Sequence, residues 1–369
     1  MKICFLLSHI PDPRLNKRIE FFKQKGLTQV ICVRRASQNI WEPTQDVEHT
    51  IFDIDLPSAK HIIKRYISSQ EFQKKALDKL KEIKPNVIYA EGLDTLIVAS
   101  QYKKTHDIRI IFEVADLREN YIIKPKKLVE RLITRKLLRK EKAVFNNVNF
   151  LVVTSPKFYD IHYNSLISKD RLLFIPNAPN IEVLKKYKKH KGEFTVGFIG
   201  GIRYLHQMKM LVDVSEKIPC NVLFAGAGGT SSDYAEIENY CSNKENVTFT
   251  GRYNYNSQIA FLYGMVDCVF AVYDADNPNV RIALPNKLYE SIYCELPIIV
   301  AKGTYLSELV EKYGVGISVS HKKPEELEKT IMQLKTNKEY YDTLVNNCRE
   351  AKKSLFKSNS NDELKKCVL

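Results

Sequence analysis

A chain of 369 residues has room for two domains, and its 44% hydrophobic and 27% charged content excludes a disordered or fibrous chain. A formal net charge of +14 points to an anionic partner (a nucleic acid, a membrane surface or a phosphorylated small molecule) or to a solvated basic surface and nothing more. The eight cysteines, Cys4, Cys32, Cys220, Cys241, Cys268, Cys294, Cys348 and Cys367, form no CxxC pair, so they read as reduced core residues of a cytoplasmic protein rather than as zinc ligands or a disulfide frame.

Met1–Leu7 leads into SHIPDPR rather than into a small-residue cleavage site, so no secretory leader is expected. No run of about 18 apolar residues occurs, so no transmembrane helix is expected either. The first half then alternates two patterns. KICFLLS, QVICVRR, NVIYAEG, RIIFEVA and NFLVVTS are short and apolar and read as buried parallel strands. RLNKRIEFFKQKG and SQEFQKKALDKLKEIK have helical periodicity, the latter stopping before Pro85. Pro179–Gly192 is charged and weakly periodic, as a linker would be. A second series follows, with strands expected at FTVGFIGG, NVLFAGAGG, VTFTGRY, DCVFAVY, PIIVAKG and VGISVS, and helices at Gln207–Lys217, Asn286–Cys294 and Tyr305–Tyr313. Pro324–Phe356 reads as one or two long helices, and the closing SNSNDELKKCVL as a loose tail. The expected fold is therefore α/β, with two Rossmann-like doubly wound domains over residues 1–180 and 193–345 and a C-terminal segment over 346–369.

Ligands of such sheets bind beyond the carboxyl ends of the strands. After FTVGFI come Gly200, Gly201 and Arg203, then a helix carrying Lys209. Adjacent glycines at a helix start let a phosphate approach the backbone, and an arginine adds bidentate contacts; a tight turn with a surface arginine would look the same. Gly226, Gly228 and Gly229 after NVLFA could line a nucleotide pocket or form a plain loop. After DCVFAVY, Pro285-Asn286 opens a helix on which Lys287 and Glu290 share a face. Spacing alone makes these two a surface pair as readily as a ligand site.

Taken together, LPNKLYES followed by LPIIVA, and the strand–Gly–Gly–Arg opening, resemble the retaining GT-B glycosyltransferases of the family 4 type, closest to bacterial members with a PNKxxE segment that build capsule, O-antigen or other surface polysaccharides. The resemblance implies two Rossmann-like domains facing each other across a cleft, the second holding a nucleotide-diphosphate sugar, with UDP the default base. It makes Glu290 the carboxylate on the donor ribose and Arg203, Lys209 and Lys287 the cations on the diphosphate, with Gly200, Gly201, Gly226 and Asn286 lining the site. An earlier glutamate common in relatives is replaced here by Ile282. The first domain then holds the acceptor, with His9, Asp12, Arg14 and Lys17 as contacts and Asp116 as the polar group beside the reacting centre, Glu113 and His9 behind it; an N-cap is the plainer role for Asp116. The C-terminal helix, Glu339–Phe356, is expected to cross back to the first domain.

Transfer with retention would then rest on fixed cations in place of a metal. Asp274-Ala-Asp276 has the letters of a metal triad, but no metal or other cofactor is expected. Lys124–Lys142, KPKKLVERLITRKLLRKEK, carries nine Lys or Arg against two Glu, with Leu128, Leu132, Ile133, Leu137 and Leu138 at roughly helical spacing. It reads either as a basic helix on an anionic membrane or as a Rossmann helix with a solvated basic face, which makes the protein cytoplasmic or peripheral on the inner face of the plasma membrane. The acceptor would be a glycan or a polyprenyl-diphosphate-linked sugar. The alternatives are a nucleotide-sugar epimerase or hydrolase of the same fold, and a non-catalytic donor-binding subunit. No nucleic-acid recognition motif is present.

Overall fold

The computed structural model describes residues 1–34, 43–54, 62–117, 119–123, 127–190, 192–228, 232–356 and 361–367. Every run read as a strand is one. The chain forms two compact units, Met1–Pro176 with Ser360–Leu369, and Asn177–Asn359.

The first unit holds β1 (Lys2–Leu7), β2 (Leu27–Val33), β3 (Glu48–Phe52), β4 (Val87–Glu91), β5 (Arg109–Val114), β6 (Phe150–Val153) and β7 (Leu172–Phe174). Their order is β3-β2-β1-β4-β5-β6-β7, all parallel, with Phe5 opposite both Val30 and Tyr89. The two edge strands, EHTIF and LLF, are short and weakly patterned, which is why the sequence did not announce them. The second unit holds β8 (Thr195–Ile199), β9 (Asn221–Ala225), β10 (Val247–Gly251), β11 (Cys268–Ala271), β12 (Ile298–Ala301) and β13 (Gly316–Val319), in the parallel order β10-β9-β8-β11-β12-β13. Side chains alternate across this sheet. Val196, Phe198, Val222, Phe224 and Phe270 enter one core, while Ile199, Leu223, Val269, Ile298 and Val300 enter the other. Helices cover both faces, so the central strands β8, β9, β11 and β12 are buried on both.

Helix ends follow local chemistry. Asp12 caps Pro13–Lys23 by accepting from the Leu15 N–H at 2.8 Å. Asn337 breaks the long C-terminal run in two, ending Pro324–Thr336 and capping Lys338–Leu355 by accepting from Tyr340 N–H.

Three expectations about the connecting segments change. The stretch read as a linker packs in the second unit: Leu184 is fully buried, Lys189 bridges Asp267 at 2.8 Å, and His190 N–H donates to Gly264 O at 2.9 Å. Helix Lys338–Leu355 belongs to the second unit, and it is Ser360–Leu369 that belongs to the first. The described part of the tail, Asn361–Cys367, is not loose. Leu364 and Cys367 enter the core around Ile3, Phe5 and Ile175, and the buried Arg18 bonds Asn361 Oδ1 and Ile175 O. All eight cysteines are buried and unpaired. Among the described residues, no helix is long and apolar enough to cross a membrane.

Leu364→Ala is expected to destabilise the protein by about 2–4 kcal/mol. Urea unfolding followed by circular dichroism checks this, and an unchanged midpoint would remove the tail from that core.

Candidate active site

In the second unit the strand order reverses between β8 and β11, so the loops leaving those strands diverge and open a crevice at the carboxyl edge. Gly200 follows β8 with φ 141° and Gly226 follows β9 with φ 140°, a region closed to most side chains. The two loops touch backbone to backbone: a Cβ on Gly226 would lie 2.0 Å from Gly200 O. Gly200 N–H donates to Ala225 O at 2.8 Å and Ile202 N–H to Ala227 O at 3.1 Å, which extends the strand pairing into the loops. Gly226 thus acts by letting the Gly200 turn come close. Gly201 is exposed beside it, and the Gly229 position lies outside the described residues.

Lys287 reaches this turn from another element. Pro285, in extended conformation, sets the start of helix Asn286–Tyr293, whose residues Lys287–Ile292 are all buried; Asn286 is half-buried at its first position. The Lys287 ammonium donates to Tyr273 Oη at 3.0 Å and lies 4.3 Å from the centre of the Phe198 ring. A Cβ on Gly200 would sit 2.9 Å from the same nitrogen. Burial, opposed by the pull of Glu290 and aided by the nearby Arg203, lowers its pKa to about 8. Arg203 itself is exposed, its Nε 3.7 Å from where a Gly201 Cβ would stand. Two cations therefore converge on one bare glycine turn, and an anion placed there would favour both.

Glu290, 3% exposed, lies one helical turn further on. Tyr255 Oη donates to its Oε1 and Tyr263 Oη to its Oε2, each at 2.7 Å. The carboxylate is thus oriented by two phenols that spacing could not reveal. Lys209 does not join the group: its ammonium lies 4.9 Å from the centre of the ring of Tyr240, the last residue of helix Asp233–Tyr240, and that aromatic face holds it there. Asp274 and Asp276 follow β11 and form a cluster with His321, with ligand atoms within 4.8 Å of one another. Lys322 already pairs with Asp276, and His321 Nδ1 lies 3.3 Å from Asp274 Oδ1.

The corresponding position of the first unit, between β1 and β4, is organised differently. Arg14 is 5% exposed and is held by Glu91 and, at 2.6 Å, by Glu113. Glu113 also meets Arg18 at 3.5 Å and accepts from Tyr89 Oη. Burial would raise the Glu113 pKa, but Arg14 and Arg18 outweigh it and hold the carboxyl below the usual range. His9 Nε2 bonds Glu91 Oε2 at 2.9 Å and Nδ1 bonds Ile10 O at 2.8 Å. Both partners are acceptors, so both ring nitrogens carry hydrogen; burial opposes that charge, and Glu91 outweighs it and raises the pKa.

Arg14 and Glu113 are therefore members of a buried ion network rather than surface contacts. Asp12 serves as an N-cap, Lys17 is half-buried with its carbonyl accepting from Asn361, and Asp116 is exposed just past β5. Glu91, which joins His9 to Arg14 in this network, is not among the expected site residues. Its signal was a lone acid at the end of the apolar run NVIYAE.

Residues 180–351 match the family described as Glycosyl transferases group 1. Succinoglycan biosynthesis protein ExoL of Rhizobium meliloti is 22% identical over 249 residues, 63% of this chain and 60% of that protein. An uncharacterized glycosyltransferase of Methanocaldococcus jannaschii is 26% identical over 188 residues, 50% of each chain. The chain thus spans 60% and 50% of the lengths of these curated relatives. Among solved structures, Anabaena HepE in complex with UDP superimposes with a TM-score of 0.74 at 14% identity, covering 100% of this chain and 98% of that one. Sucrose-phosphate synthase from Thermosynechococcus elongatus gives 0.71 at 17% identity, covering 96% and 95%. The fold is GT-B.

The depressed Lys287 pKa has a consequence for stability. Below pH 8 the ammonium is charged in the folded and the unfolded chain alike, and the folded state bears the whole burial penalty. Between about pH 8 and the ordinary 10.5 the folded chain gives up its proton first, and the penalty fades. Lys287→Met is therefore expected to stabilise the ligand-free protein by about 2–3 kcal/mol at pH 7, with the gain shrinking toward pH 10.5. Urea denaturation at the two pH values measures it.

Proposed function

We propose that this protein is a retaining glycosyltransferase of the family 4 type, with the PNKxxE segment as its donor motif. It moves a sugar from a UDP-linked donor to a lipid-linked or glycan acceptor in the assembly of a bacterial surface polysaccharide. The observation that carries the donor side is the Lys287 ammonium held against the bare Gly200 turn, beside Arg203 and at the switch point of a parallel sheet. The solved neighbours in complex with UDP and UDP-glucose support a uridine donor, and the succinoglycan relative supports the polysaccharide assignment.

In this reading the diphosphate lies over Gly200 and Gly201, and Lys287 and Arg203 take up the charge that grows as the anomeric C–O bond breaks. Their attraction is strongest when the leaving group is most negative, so it favours the transition state over the bound donor. The departing phosphate oxygen accepts the acceptor hydroxyl proton while the new C–O bond forms on the same face. Glu290, aimed by Tyr255 and Tyr263, uses its remaining lone pairs on the ribose hydroxyls. Asp116, His9 and Asp12 are the acceptor-side candidates. The cations replace a metal ion, so transfer is expected to persist in EDTA.

In a thermal-shift panel of nucleoside diphosphates and nucleotide sugars, UDP at about 100 times its Kd should stabilise the wild type by about 2.7 kcal/mol, a rise of a few degrees. Lys287→Met and Glu290→Gln should each weaken that binding by about tenfold or more. If no nucleoside diphosphate stabilises the wild type, the donor reading fails. Rapid conversion of the donor with no acceptor present would favour an epimerase or hydrolase, and donor binding without transfer to any acceptor extract would favour a non-catalytic subunit.

A further inference from the structure

Helix Leu128–Phe145 runs between β5 and β6, so its N-terminus lies at the carboxyl edge of the first sheet, the edge that carries His9, Glu91 and Asp116. Its inward side is firmly seated. Thr134, Glu141 and Phe145 are buried, Glu141 bonds His162 Nε2 at 2.8 Å, and Ile133, Leu137 and Leu138 are half-buried.

Leu128 and Leu132 do not share that side, as their spacing in the sequence implied. At 100° per residue they stand roughly opposite Leu137, and they are 70% and 55% exposed. Val129 beside them is 64% exposed, and Ile123, just before the helix, 49%. Thus four of the thirteen large apolar side chains exposed among the described residues fall within one ten-residue stretch. Scattered singly such side chains need no explanation, but grouped on one tip they mark a contact surface.

The charge around the tip chooses the partner. The outward side continues down the helix as Arg131, Arg135, Lys136, Arg139 and Lys140, all exposed, with Lys127 at the start. The acids of the helix lie off this stripe: Glu130 is 3.9 Å from Lys127 and turned away, and Glu141 is buried. A protein partner would need a matching acidic rim around an apolar socket, whereas an anionic bilayer offers both along any line. We propose that Ile123, Leu128, Val129 and Leu132 form a tip that inserts into the interface of an anionic lipid bilayer, with Arg131, Arg135, Lys136, Arg139 and Lys140 lying along the headgroups. The carboxyl edge of the first sheet then faces the lipid surface. This goes beyond the glycosyl-transfer reading and does not rest on it.

The full chain is sedimented with vesicles of phosphatidylcholine alone and of phosphatidylcholine mixed with phosphatidylglycerol. Binding to the anionic vesicles is expected, falling about tenfold or more between low salt and about 0.5 M. Leu128→Ser/Leu132→Ser and Arg135→Glu/Lys136→Glu should each reduce partitioning by about tenfold while keeping the wild-type circular dichroism and melting temperature, since all four side chains are exposed. Phe261→Ser, at an exposed apolar site of the second unit, should leave partitioning unchanged. Equal binding to neutral and anionic vesicles, or indifference to both double variants, would overturn the proposal. So would a concentration-dependent dimer that Leu128→Ser/Leu132→Ser dissolves in a protein that binds no vesicle.

Discussion

The second unit is organised around a charge that the fold makes expensive. An ammonium group in a protein interior loses its water, and here it gains in return the phenol oxygen of Tyr273, the face of Phe198 and the pull of Glu290. It stays because every part of its surroundings is fixed by something else. Phe198 and Gly200 are set by β8, Tyr273 follows β11, and Lys287 rides on a helix whose next five residues are all buried. None of these can relax toward the lysine without disturbing the sheet. An anion bound there would offset part of what the burial of this charge costs.

The two units show how the same topological position can be put to different uses. Both sheets reverse order beside their first strand. In the first unit that point gathers His9, Arg14 and Arg18, but Glu91 and Glu113 balance them and the network closes on itself. In the second unit Lys287 and Arg203 meet a glycine turn instead of a carboxylate, and Glu290 is engaged with its tyrosines a turn away. Counting positive residues would rate the first crevice the better anion site. Pairing, rather than count, separates them.

The architecture was legible because parallel strands are apolar at both faces, a pattern that survives without knowledge of neighbours. β3 and β7 were not, since EHTIF has no fully buried residue and LLF is only three residues long, whereas the longer or more apolar runs at the edges of the second sheet could be read. Lys287 and Glu290 could be placed by strand order, but their setting could not: Tyr273, Tyr255 and Tyr263 come from 14, 35 and 27 residues away. Lys209 and Arg14 illustrate the opposite failure. Each has the right charge after the right strand, and each is held elsewhere by partners remote in sequence. The stripe at Leu128 and Leu132 misled for a simpler reason, since a run with leucines at many offsets fits two opposite faces of one helix.

The short packed tail alters what the chain must do as it is made. Most of the first unit precedes the second in the sequence, yet Leu364 and Cys367 of its core come after it, with the whole second unit in between. Vectorial synthesis favours folding of N-terminal domains first. Here that order leaves the first unit with an open seam between the β1 and β7 sides of its core, waiting for a peptide made only after the second unit. The second unit is contiguous in sequence and needs no such wait, so it is free to finish before the unit that precedes it.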